Sequence, residues 1–164
     1  MEDQEIIVDE SKKKKPKKDV SEHYYAIPED QLQEIILRAQ GGSQRDQAEL
    51  LKVFNNFITK YTSLLYRSKY DLHDYDLRRF IALFITDKNA MIRLRRNQIN
   101  HATFKTANDT MRGINYMVKR YCTEEDVRQT VQLTFLQCVM RYTRKGSIPF
   151  SGYIYSYFFF LLKK

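Results

Sequence analysis

An all-α fold, a compact helical bundle behind a disordered N-terminal tail, is the class this sequence predicts, and three observations predict it. Apolar residues recur at three- and four-residue spacing from Pro28 onward. Helix caps and stops punctuate those stripes: Gly41-Gly42, Ser43, and Thr123 with Asp126 three residues on. The one stretch of high β-propensity, Tyr153–Leu162, has no partner strand in sight and follows only helical elements, so it reads as a helix as well.

The chain has 164 residues, enough for one compact domain. Residues 1–22 are polar and contain Lys12–Lys18, KKKKPKK; residues 1–20 hold six basic and six acidic side chains, so this tail reads as a disordered, solvated polyampholyte. Leu32, Ile35, Ile36 and Ala39 form the first helical stripe, which the two glycines stop. Ser43 caps the next helix, where Leu50, Leu51, Phe54, Phe57, Ile58, Tyr61, Leu64 and Leu65 make one long stripe. Asp71, Asp74 and Asp76 punctuate a turn before a short helix marked by Leu77, Phe80, Ile81 and Phe84. Residues 86–112 carry Lys88, Arg93, Arg95, Arg96, Lys105 and Arg112 against only Asp87 and Asp109, with a thin apolar pattern. They read as an inserted basic segment, helical around Ala90–Gln98. Order returns with Ile114, Met117, Val118 and Tyr121. Val127, Val131, Phe135, Cys138, Val139 and Tyr142 make the next stripe, and Arg144-Lys145-Gly146 ends it. Pro149 and Ser151 then open a last helix that is almost wholly aromatic and aliphatic.

Composition narrows the function. The net charge is +8, and 22 residues are Tyr or Phe while Trp is absent, a pairing that favours a nucleic-acid partner because bases stack on aromatic faces and phosphates need cations. Residues 1–10 carry acids rather than a basic-then-apolar run, so no signal peptide is expected, and Ile154–Leu162 is too short to span a bilayer. Cys122 and Cys138 lie sixteen apart, with no metal-ligand spacing, and read as reduced thiols of a cytoplasmic protein. No Gly-rich phosphate loop, HExxH or GxSxG is present. His23, His73 and His101 are scattered, and the three aspartates of the 71–76 turn miss the calcium-loop pattern. The sequence therefore predicts no enzyme, no metal and no cofactor.

The informative segment is 113–164. It shows a short amphipathic helix ending in KRY, an acidic helix start EED followed by VRQ, a long helix ending in RYTRKG, then PFSGY and an aromatic helix. This order resembles conserved region two of the bacterial sigma factors, in which a D-[LIV]-x-Q helix precedes an aromatic residue, a basic-Gly turn and F-S-x-Y. Asp126, Val127 and Gln129 stand at the first motif, Tyr142, Lys145 and Gly146 at the turn, and Phe150, Ser151 and Tyr153 at F-S-x-Y. Residues 31–66 resemble the family's lead-in helices. Asp74, Asp76 and Leu77 offer a second register for the acidic signature, but only the later copy is followed by F-S-x-Y.

The resemblance implies a helical region-two domain over residues 23–164 with an insertion at about 67–112. It implies a sigma-type factor that binds core RNA polymerase at a coiled coil of the largest subunit and helps recognise and melt the minus-ten promoter region. Glu124, Glu125, Asp126, Arg128, Gln129 and Gln132 are then the polymerase-facing set: acids suit a helix N-terminus, and a polar face can meet a basic coiled coil. Arg141, Arg144, Lys145, Phe150, Ser151, Tyr153, Tyr155, Ser156 and Tyr157 are the DNA-facing set. Tyr153 and Tyr157 share a helix face and Tyr155 lies off it. At least half of the Phe-Leu run after them is expected to be core. Where the family has two adjacent Trp residues this chain has Ser156 and Tyr157, and a base-reading Gln is replaced near Phe160, which implies an unusual promoter and a divergent, bacteriophage-type factor. No domain for the minus-thirty-five element is in the sequence, so a second protein would supply that contact unless the chain is a fragment. The competing expectations are a helical nucleic-acid-binding module and a polymerase-interacting regulator without sigma activity.

Overall fold

Residues 27–144 and 148–163 are described by the computed structural model, and among them are eight α-helices and no strand. The expected tail, 1–22, lies outside the described residues. The helices are α1 (Glu29–Gln40), α2 (Gln44–Val53), α3 (Asn55–Thr62), α4 (Tyr75–Ala82), α5 (Lys88–Arg95), α6 (His101–Tyr121), α7 (Glu124–Arg141) and α8 (Phe150–Lys163).

Local chemistry sets most of the boundaries. Gly42 takes φ 97°, a conformation that costs glycine little, and lets the backbone N–H groups of Gly42 and Ser43 bond back to Ala39 and Arg38. Ser43, Asp74, Asp87, Asn100 and Thr123 each accept a backbone N–H in the first turn of the helix they start. Asp71 accepts from the His73 N–H at 2.8 Å, so the aspartates at 71 and 74 act as turn and cap residues.

The long stripe of residues 50–65 is divided. A slight fault at Phe54 separates α2 from α3, although the Phe54 N–H to Leu50 and Ile58 N–H to Phe54 bonds carry the ladder across it. After α3 the backbone widens into a π turn, Ser63–Arg67, and ends at Ser68 with φ 53°. Widening a helix end frees carbonyls, and a buried amide takes them up. The Asn115 side chain of α6, only 4% exposed, donates to Leu64 O at 2.9 Å and to Leu65 O, and accepts from the Ser68 hydroxyl.

The basic segment is more ordered than its thin apolar pattern indicates. It holds α5 and most of α6, and α6 runs unbroken through the expected boundary at residue 112. Its buried side is Thr103, Ala107, Met111 and Asn115, every fourth residue and mostly small, which is why it reads weakly in sequence. Leu94, Ala107 and Met111 join the same buried cluster as Phe57, Phe135 and Phe158, so one core runs through the insertion and the flanking helices. At its centre Phe54, Phe57, Tyr61, Phe135, Phe150 and Phe158 meet ring against ring, with centroids 4.8 to 6.5 Å apart.

Candidate functional site

The residues expected to face polymerase and DNA fall on α7, on α8 and in the sequence between them. The start of α7 is built by a capping box. Thr123 Oγ1 accepts the Asp126 N–H at 3.2 Å, and Asp126 Oδ2 accepts the Thr123 N–H at 2.7 Å and its hydroxyl at 2.6 Å. Those bonds hold the Asp126 carboxyl below its ordinary range. Glu124 takes both Oε atoms to Arg67, at 2.6 and 2.9 Å, and the Arg67 hydrogen bond lowers its pKa. Arg128 reaches across to α3, donating to Asn55 Oδ1 at 2.5 Å and Thr59 Oγ1 at 3.3 Å.

Three members of the expected docking set therefore spend their charge inside the molecule: Asp126 on its own helix cap, Glu124 on Arg67, and Arg128 on α3. Glu125 and Gln129 are exposed and Gln132 is half-buried. In line with Gln129 stand two apolar residues that the sequence reading passed over, Leu133 at 61% and Met140 at 50% exposure, with exposed Gln137 between them. They are seven apart, so they lie on one side of the helix, away from Val131 and Phe135. That spacing was the signal available in the sequence. The outer side of α7 is thus a mixed apolar and amide strip rather than an acidic one.

The other end of α7 is fixed from α1. Gln40 Nε2 donates to the Val139 and Tyr142 carbonyls at 2.8 and 2.7 Å. Gln33 Nε2 donates to the Tyr142 hydroxyl at 3.2 Å, and that hydroxyl donates to Ile148 O at 2.9 Å. The bonds seat Tyr142 beside the first turn of α8.

Helix α8 divides the DNA-facing set. Phe150 is fully buried against Phe54, Phe135 and Tyr142, and Ser151 is buried too, so both are corrected from DNA contacts to core residues. Tyr155 is half-buried with its ring 6.0 Å from Phe57, on the inner side. Ser156 is half-buried and donates to Gly152 O at 2.9 Å. Tyr153 and Tyr157 do share a face: their rings lie 4.9 Å apart at 32°, Tyr153 rests on Tyr142 at 5.1 Å, and Tyr157 is 54% exposed. Burial raises the Tyr153 pKa, and the Arg141 charge acts on the same phenol in the opposite sense. Arg144 is exposed; Lys145 lies outside the described residues. Phe160, 49% exposed, extends the tyrosine face by one turn, while Phe158 and Phe159 are core.

The outer side of α8 thus presents flat aromatic area, with exposed arginines at the end of α7 and just after it. Among the described residues no group of three His, Cys, Asp or Glu side chains is placed to hold a metal ion, and no helix is long and apolar enough to cross a membrane. A cavity of about 660 Å³ opens elsewhere, between the segment that follows the π turn and the start of α6, lined by Tyr70, His73, Ile99, His101 and Phe104, with no residue from α7 or α8. No family model, curated protein or solved structure matches this chain.

Proposed function

We propose that this chain is a non-enzymatic, sigma-type transcription initiation factor of the bacterial cytoplasm, which binds core RNA polymerase through the outer side of α7 and engages minus-ten promoter DNA with the outer side of α8. The observation that carries the reading is the stacked Tyr153–Tyr157 pair, held outward by a helix whose inner side is core, with the exposed Arg141 closing the preceding helix. Opening a duplex requires compensation for lost base stacking. Aromatic faces supply roughly 1–3 kcal/mol per base, and neighbouring arginines neutralise phosphates.

Docking rests on different chemistry. Leu133 and Met140 present apolar area that costs little to desolvate, and Glu125, Gln129 and Gln137 present hydrogen-bonding groups around it. Glu124, Asp126 and Arg128 fix the start of the helix that carries this strip.

The Ser156 and Tyr157 pair, standing where the family has tryptophans, favours a second reading in which the chain grips polymerase and DNA without opening a promoter unaided. Retention of the full chain on bacterial core polymerase is the first test. Wild type is expected to be retained, and Leu133→Asp with Met140→Asp to be lost while the helical circular dichroism is unchanged. A wild-type chain that core polymerase does not retain removes the sigma assignment.

A further inference from the structure

Beyond the tyrosine pair, the end of α8 meets the insertion at a cleft of about 310 Å³, lined by Tyr75, Arg79, Leu83, Arg95, Phe159 and Phe160. The Arg79 guanidinium lies 5.5 Å from the Tyr75 ring centre and 5.0 Å from that of Phe159, so two aromatic walls fix its plane. Among the described residues neither Arg79 nor Arg95 is in an ion pair. Lys163 adds a third cation at the rim. Its Nζ donates to Leu83 O at 3.0 Å and sits 5.5 Å over Phe84. No acid lines the cleft. Asp76, whose charge Arg79 feels, is buried and lies 3.7 Å from Lys60.

A planar guanidinium already fixed between rings loses little freedom on binding, and its fork matches phosphate oxygens. The outer rings of Phe160 and Tyr75 are about half exposed and offer flat apolar area for a base. The volume stands at the lower end of ligand pockets, roughly 300–1,000 Å³, a size for one nucleotide unit rather than a larger ligand. Phe160 also continues the face of Tyr153 and Tyr157 at helical spacing, so a strand on those tyrosines is led to the cleft.

We infer that this cleft takes one nucleotide of a DNA strand, the base against Phe160 and Tyr75 and the phosphate on Arg79 and Arg95, so that the insertion is part of the DNA-binding surface. The inference rests on the reading of α8 as a nucleic-acid surface. It is tested with the full chain and a fork-junction oligonucleotide carrying a single-stranded extension, by fluorescence anisotropy over a salt series, with and without core polymerase. Arg79→Gln and Arg95→Gln are each expected to flatten the salt dependence by about one phosphate contact. Phe160→Ala is expected to weaken binding roughly tenfold with the salt slope unchanged. Arg95 is exposed, so its variant decides the matter if Arg79→Gln melts early. Wild-type binding that Tyr153→Ala with Tyr157→Ala weakens, but that Arg95→Gln and Phe160→Ala leave intact, overturns the cleft and spares the tyrosines. Absence of DNA binding by wild type, alone and with polymerase, overturns both. Deoxyadenosine monophosphate that displaces the oligonucleotide at equal concentration assigns the cleft to a free nucleotide and overturns the strand.

Discussion

Helices α8 and α6 pack onto one core by opposite means. The inner side of α8 is ring upon ring: Phe150 and Phe158 fill space among Phe54, Phe57, Phe135 and Tyr61. The inner side of α6 is Thr103, Ala107, Met111 and Asn115, and its firmest hold is an amide on two carbonyls of the π turn. Burying large rings gains by area and contact, and tolerates small errors of direction. Small side chains let helices approach closely but gain little, so a directional bond has to fix the register. The aromatic side specifies that α8 is held, and the amide specifies where α6 is held.

That contrast predicts a graded series of losses. Phe150→Ala is expected to cost about 3–5 kcal/mol in urea unfolding, since it empties the centre of the ring cluster. Tyr157→Ala, on the same helix but outward, stays within about 0.5 kcal/mol. Comparable losses at both positions would mean that α8 has no inner and outer side. Asn115→Ala is expected to cost about 1–3 kcal/mol by leaving the Leu64 and Leu65 carbonyls without their donor. A loss as large as that of Phe150→Ala would break the distinction between the two helices. The smallest effect is at Asp76, in the first turn of α4. Burial raises its carboxyl pKa, so the fold holds that proton more tightly than the unfolded chain does. Stability from this group is therefore lost as pH rises through the unfolded and then the folded pKa, and no penalty exists below both. Asp76→Asn should leave the urea midpoint at pH 7 unchanged or slightly higher, and the difference should vanish in acid. A lower midpoint at pH 7 would show that attraction to Lys60 outweighs burial.

What could be read beforehand follows the same division. Ser43, Asp74 and Thr123 announce helix starts because a cap acts within three residues, and the large stripe of α7 announces a buried side by volume alone. The tyrosine face of α8 was legible from a spacing of four. The burial of Phe150 and Ser151 was not: nearly every residue of α8 is apolar or aromatic, so periodicity has no contrast, and only the neighbouring helices choose a side. Helix α6 was hidden for the reverse reason, a buried stripe too small to stand out. Glu124 reads as a surface acid until Arg67, far back in the chain, is beside it. Leu133 and Met140 were in plain view, but the heavier stripe at Val131 and Phe135 drew the helix's apolar character to one side only.

The Arg67–Glu124 pair has a consequence for how this chain can change. It joins the last residue of the π turn to the first residue of α7, so the chain departs into α4–α6 and comes back within the reach of two side chains. Asn115 holds the returning helix, α6, on Leu64 and Leu65. Residues between the stem's two sides form an excursion whose ends are already together. Because Leu77, Phe80, Leu94 and Met111 of that excursion lie in the shared core, a change of length is absorbed at its exposed turns, around residues 68–71 and 96–98, and not in its helices. The molecule is organised as one core closed by a stem, and new contacts can be acquired at the outward turns of the excursion without its buried side being redesigned.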